Sequence, residues 1–133
     1  MKRSLIAAVT FAVLAAGHAL AQYPVKPVRM VVSYPPGGGA DVLARLVARS
    51  LTEQLGQQVV VDNRPGAAGT IGAAQVAAAP ADGYTLLAGG NPELTLMPHI
   101  LTKLTYDPLR DLAPLVLATY APAVVVVPAS SNA

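Results

Sequence analysis

Three glycine-bearing stretches carry most of the chemistry this sequence can offer: Pro35-Pro36-Gly37-Gly38-Gly39, Gly66-Ala67-Ala68-Gly69 and Gly89-Gly90-Asn91. Glycine lets a ligand approach the backbone closely. A loop that opens a helix also presents free N–H groups at the positive end of the helix dipole. The group such loops hold is an anion, a carboxylate or a phosphate, and Gly37 to Gly39 with Gly66 to Gly69 are the candidates for the grip. The alternative for any one loop is a tight strand-to-helix turn with no ligand.

Other constellations are thin. There is no G-x-S-x-G elbow and no G-x-x-x-x-G-K-[ST] phosphate loop, and cysteine is absent. Beyond residue 21 the only histidine is His99, between Pro98 and Ile100, which reads as a surface or packing residue. Asp107 and Asp111 are four apart, but Pro108 between them favours a turn over a helical carboxylate pair. Arg64, beside the second glycine loop, is either a ligand counter-ion or a solvated structural residue. Gly37-x-Gly39, with Asp62 at the end of the next strand, partly fits a dinucleotide fingerprint. The third glycine position holds Val42, which is expected to obstruct the helix–strand contact that motif needs.

The elements that must position these loops alternate. Arg29 to Tyr34 reads as a short buried strand, stopped by the Pro35-to-Gly39 run. From Ala40 to Leu55 the residues Leu43, Leu46, Val47, Leu51 and Leu55 recur at spacings of three and four, which predicts one apolar helical stripe with Asp41 in the first turn. Gly56 supplies the stop. Gln58 to Asp62 is a second strand, Thr70 to about Ala79 a second helix, and Tyr84 to Ala88 a third strand after the Pro80-to-Gly83 turn. Such alternation with short connections predicts an α/β fold, an open parallel sheet flanked by helices. Each glycine loop then falls at the carboxyl end of a strand, the edge where open parallel sheets bind ligands. Pro92, Pro98 and Pro108 limit helix between Leu94 and Leu104, and Leu115 to Thr119 and Ala123 to Val127 read as two further strands.

Composition excludes several classes. The chain has 133 residues, 53% apolar and 12% charged, with 11 Gly and 12 Pro, which rules out disorder from low hydrophobicity and a coiled coil. Without Cys or Trp, and with six aromatic residues, it has no disulfide scaffold, cysteine-ligated zinc site or base-stacking platform. Lys2 and Arg3, an apolar run from Leu5 to Ala16 and the triplet Ala19-Leu20-Ala21 form the layout of a secretory signal peptide over residues 1–21. Its removal leaves seven Lys and Arg against seven Asp and Glu, a formally neutral chain without the basic footprint of a nucleic-acid binder.

As an ordered set the motifs are recognisable. Tyr23-Pro24-x-Lys26-Pro27-Val28-Arg29, Tyr34-Pro35-Pro36-Gly37-Gly38-Gly39-Ala40-Asp41 and Val61-Asp62-Asn63-Arg64-Pro65-Gly66-Ala67-Ala68-Gly69-Thr70-Ile71-Gly72 come first. Pro80-x-Asp82-Gly83-Tyr84-Thr85-Leu86-Leu87 and Tyr106-Asp107-Pro108-x-x-Asp111 follow. In this order they resemble the Bug-type periplasmic receptors of tripartite tricarboxylate transporters. The resemblance implies the N-terminal part of a two-lobed periplasmic binding protein fold. Residues 22–112 would form the first-lobe α/β region, and 113–133 the start of a truncated crossover to the second lobe.

The same resemblance implies a periplasmic solute-binding receptor, not an enzyme. It would take a small carboxylated metabolite, pass it to a membrane permease, act as a monomer and carry no cofactor or metal. The loop from Tyr34 and Pro35 through Gly37, Gly38 and Gly39 to Asp41, and the loop Gly66, Ala67, Ala68 and Gly69, would present backbone groups to one ligand carboxylate. Gly89 to Asn91 would line the same cleft. A full receptor of this kind is about twice as long, so the other expectation is an exported, truncated remnant that binds no ligand by itself.

Overall fold

The computed structural model describes residues 23–122 and 124–130, so the signal-peptide expectation over 1–21 lies outside the described residues. The chain runs β1 (Val28–Val32), α1 (Gly39–Leu55), β2 (Val59–Asn63), a 3-10 turn (Ala67–Gly69), α2 (Thr70–Ala77) and β3 (Thr85–Ala88). A π-helical turn (Pro92–Leu96) and two single-turn helices, α3 (Met97–Ile100) and α4 (Pro108–Asp111), complete it.

The sheet has strand order β2-β1-β3 with both pairings parallel, Val28 opposite Val59 and Arg29 opposite Thr85. The α/β reading of the sequence therefore holds. β1 is flanked on both edges, and its residues Val28, Met30, Val31 and Val32 are buried. Apart from Arg29, which donates to Asp62 of β2, β1 is the apolar run that a parallel strand covered on two faces requires. Burying each of these side chains stabilises the fold by about 1.5–3 kcal/mol.

Strand alternation divides these residues between the two faces. Val28, Met30 and Val32 pack with Ala44 and Ala48 of α1 and with Val59. The other face holds Val31 and Ala73 of α2, both with no exposure. A Cβ on Gly72 would come 3.0 Å from Ser33 Oγ and 3.1 Å from the Arg64 carbonyl, so α2 seats closely against the ends of β1 and β2 only because that position lacks a side chain. α1 ends as expected: Gly56 takes a left-handed conformation (φ 66°) and its N–H donates to the Thr52 carbonyl.

The structure differs from the sequence reading in four places. Leu46 is 63% exposed, because α1 presents Ala44 and Ala48 to the sheet and turns Leu46 away from it. Val42 is 53% exposed and does not stand between helix and strand, so the obstruction expected of it is absent. Asp107 and Pro108 open the one-turn helix α4 in place of a plain turn. Asp107 caps it by accepting from Leu109 N, and its own N–H donates to Asp111. The strands expected over Leu115 to Thr119 and Ala123 to Val127 do not form among the described residues; Leu115, Val116, Leu117 and Val124 to Val127 are 60–98% exposed. Neither segment pairs with either outer strand of the sheet among the described residues, and an unpaired strand lacks the ladder that defines it.

Candidate functional site

The three glycine loops leave the sheet on one side, at the carboxyl ends of β1, β2 and β3. The first is shaped from beneath by a carboxylate. Asp41, in the first turn of α1, is 3% exposed. Its Oδ2 accepts from Gly37 N at 2.9 Å and from Arg45 Nε at 3.0 Å, and its Oδ1 accepts from Asn63 Nδ2 at 2.9 Å. Asn63, at the end of β2, also donates to the Tyr34 carbonyl at 3.1 Å, and its Oδ1 accepts from Arg45 at 3.2 Å. One side chain from α1 and one from β2 thus fix the backbone of the loop that follows β1. The Arg45 guanidinium and the Gly37 and Asn63 hydrogen bonds hold the Asp41 carboxyl well below the usual carboxylate range.

Further out, Gly38 caps α1 without any side-chain hydrogen bond, and Gly37, Gly38 and Gly39 are exposed. The first-turn N–H groups of this 17-residue helix therefore have no side-chain cap from the chain. Pro35 is exposed beside them.

The second loop is conformationally unusual. Gly66, Ala67, Ala68 and Gly69 all have positive φ (129°, 47°, 54° and 90°), which alanine rarely adopts. Ala67 and Ala68 are exposed, whereas Gly69, the cap of α2, is buried. The third loop carries Gly89 and Asn91 at the surface.

A residue that sequence reasoning missed sits where the loops meet. Glu93, in the turn after β3, has no exposure. Its carboxylate accepts from Tyr34 Oη at 2.9 Å and from Gly90 N at 2.8 Å, and its carbonyl accepts from buried Tyr106 Oη at 2.6 Å. Burial and the Glu93 hydrogen bond push the Tyr34 phenol up to about 12. Of the sequence-nominated residues, Tyr34, Gly69 and Gly89 converge on Glu93. Gly37 and Asp41 are joined to each other, and Gly66 packs toward Ile71. A glutamate after Asn-Pro signals a helical first turn. Nothing in that signal foretells its burial, and Asn63 and Tyr106 stand in recognisable motifs without a role that the sequence assigns.

The remaining candidates resolve simply. Arg64 donates to Asp62 at 3.1 Å and is half-exposed, so it is engaged in an ion pair. His99 is exposed. Among the described residues no group of three or more His, Cys, Asp or Glu could hold a metal, and no helix is long and apolar enough to cross a membrane. A groove of about 520 Å³ runs between α1 and β2 past Arg45, Arg49 and Gln58. It includes no glycine-loop residue and lies apart from the site.

Known proteins resemble this chain in sequence and in fold. Residues 43–133 match the family described as tripartite tricarboxylate transporter family receptor. A UPF0065 protein of Bordetella bronchiseptica is 45% identical over 132 residues, covering 98% of this chain and 39% of that one. Protein BugT of Bordetella pertussis is 46% identical over 109 residues, covering 78% and 32%. The chain therefore spans well under half the length of these relatives.

Among solved structures, MatC from Rhodopseudomonas palustris with bound malate superposes with a TM-score of 0.63 at 37% identity, over 67% of this chain and 30% of that one. A second Rhodopseudomonas palustris protein, solved with adipate, gives 0.58 at 40% identity, over 65% and 29%. With the family match covering most of the chain and the fold shared with these structures, the chain belongs to the tripartite tricarboxylate transporter receptor family.

Proposed function

We propose that this chain carries the carboxylate-gripping wall of a solute-binding receptor. Such a receptor acts in the periplasm, takes a small carboxylated metabolite and delivers it to a tripartite tricarboxylate-type membrane permease. Residues 1–21 would direct export as a signal peptide and then be removed. The observation that carries the reading is the pair of glycine-capped helices at the carboxyl edge. Gly38 opens α1 and Gly69 opens α2, neither with a side-chain cap, so backbone N–H groups and helix dipoles face the same rim.

Two solved relatives of this fold hold a dicarboxylate, malate in one and adipate in the other. In this reading Tyr34, Pro35, Gly37, Gly38 and Gly39 with Gly66 to Gly69 hold the ligand carboxylate mainly through backbone groups. Gly89 and Asn91 line the cleft, and Asp41 enters by shaping the first loop. Backbone contacts read a carboxylate and little else, so they admit several acids on one scaffold.

Thermal unfolding of the full chain with malate, adipate and their dimethyl esters tests this. A ligand that binds only the native state raises the midpoint with concentration. The expected result is a rise with at least one diacid and none with its ester. A midpoint indifferent to every acid contradicts the reading and favours the non-binding alternative.

A further inference from the structure

A sheet of order β2-β1-β3 reverses its winding between β1 and β3, and open α/β sheets place ligands in the crevice at the carboxyl end of that reversal. In this chain the crevice already holds a carboxylate, that of Glu93. Tyr34, which follows β1, and Gly90, which follows β3, each donate one hydrogen bond to it, at 2.9 and 2.8 Å. Gly69 and Gly89 form its walls. A Cβ on Gly69 would lie 2.7 Å from Glu93 Cδ, and one on Gly89 would lie 2.9 Å from Oε1. The slot is therefore closed to any larger side chain at either glycine. Glu93 is fully buried, and among the described ion pairs none involves it. A phenol O–H and a backbone N–H are the donor types that would receive a free carboxylate at this place, and charge-assisted bonds of this kind are the strong ones.

We propose that this slot is a carboxylate site occupied from within. Glu93 is a tethered ligand whose carboxylate draws the three carboxyl-edge loops together, and a free carboxylate of the formate and acetate class takes its place once the side chain is cut back. This is separate from the solute-binding reading, because it concerns the chain's own residue and holds whether or not the outer loops bind a metabolite. With the slot filled, an external solute is confined to the exposed rim of Gly37 to Gly39 and Gly66 to Ala68, and Glu93 sets how deep the cleft is.

The test compares the full wild-type chain with Glu93→Ala during thermal unfolding in sodium formate and in sodium chloride of equal ionic strength. The variant should melt lower in chloride. Formate should raise its midpoint in proportion to the logarithm of concentration, as site binding requires, and should leave the wild type where chloride leaves it. A variant that folds only in formate gives the same answer. A variant that folds but responds to both salts as the wild type does overturns the proposal, since a side chain that merely fills space is not replaced by formate.

If Glu93→Ala unfolds in both salts, Glu93→Gln decides, because it keeps the volume and removes the charge. The expected result is a midpoint lower by ~5 °C, within the range of a lost hydrogen bond in a small domain, with the Tyr34 phenol ionising at lower pH than in the wild type, though burial still holds it up. A Gln variant identical to the wild type in both readouts contradicts the tethered-ligand role.

Discussion

Two valine-rich stretches meet opposite fates. Val28–Val32 is a fully formed strand, whereas Val124 to Val127 forms no strand and is 60–98% exposed. Valine favours strands, and it supplies three of the five residues of the first stretch and all four of the second. The first has β2 on one edge, β3 on the other, α1 against Met30 and α2 against Val31. The second has no strand partner among the described residues. Strand formation here is a property of partners, and the apolar pattern is only a licence for it.

The comparison is broken most severely by placing a charge in each run. Val31→Asp buries an unpaired carboxylate at a position with no exposure, a cost of several kcal/mol that removes cooperative unfolding at 25 °C. Val125→Asp, at a residue 98% exposed, should stay within about 0.5 kcal/mol of the parent in urea denaturation. Equal losses at the two sites would mean that the second run is also packed. A milder version is Met30→Ala, expected to cost about 2–5 kcal/mol through the cavity it leaves beside Ala44 and Ala48.

Next in size is the loop after β1. Asp41→Ala strands the Gly37 N–H and the Asn63 amide, so the midpoint should fall by several degrees and amide exchange at Gly37 should quicken. Val42→Ala, one residue on but half-exposed, should do neither. If both variants behave alike, the tie from α1 to this loop has no energetic content.

Acid should act through the same tie. Hydrogen bonding holds the Asp41, Asp62 and Asp82 carboxyls below their ordinary value near ~4. Below that pH the unfolded chain takes up protons that the native chain refuses. The stability from these carboxylates is therefore complete above ~4 and lost as pH falls through their native values. Midpoints measured from pH 6 downward should decline only below about 4, and less steeply in Asp41→Asn. A decline that begins near pH 6 would point to other groups.

The smallest effect is alkaline. Tyr34 is pushed up from 10.0 to about 12, so its contribution is whole below 10 and lost as pH rises toward 12. Tyr34→Phe should remove that part of the alkaline loss, which a pH series on both proteins measures directly.

Much of the frame was legible in the sequence. Glycine stops at Gly37 to Gly39, Gly56, Gly66 and Gly89 bracket the elements, and each bracket falls within a residue or two of the observed ends. Local patterns of this kind report where an element stops. They do not report what covers it, so the pattern alone predicts burial or pairing for Leu46 and for the run ending at Val127, whereas these residues are mostly exposed. At the site, the exposed loops were visible as glycine clusters. Glu93 and Asn63 were not, because their roles depend on partners far along the chain: Tyr34 lies 59 positions from Glu93, and Asp41 lies 22 from Asn63.

The carboxyl-edge grip is tested most directly by following the backbone amide resonances of the full chain as malate is added. The expected result is saturable movement concentrated at Gly38, Gly39 and Ala40 and at the Gly66-to-Thr70 loop, with the amino-end contact of Tyr23 and Gly83 unmoved. Movement confined to the α1–β2 groove, or none at any concentration, would contradict a carboxylate site at this edge.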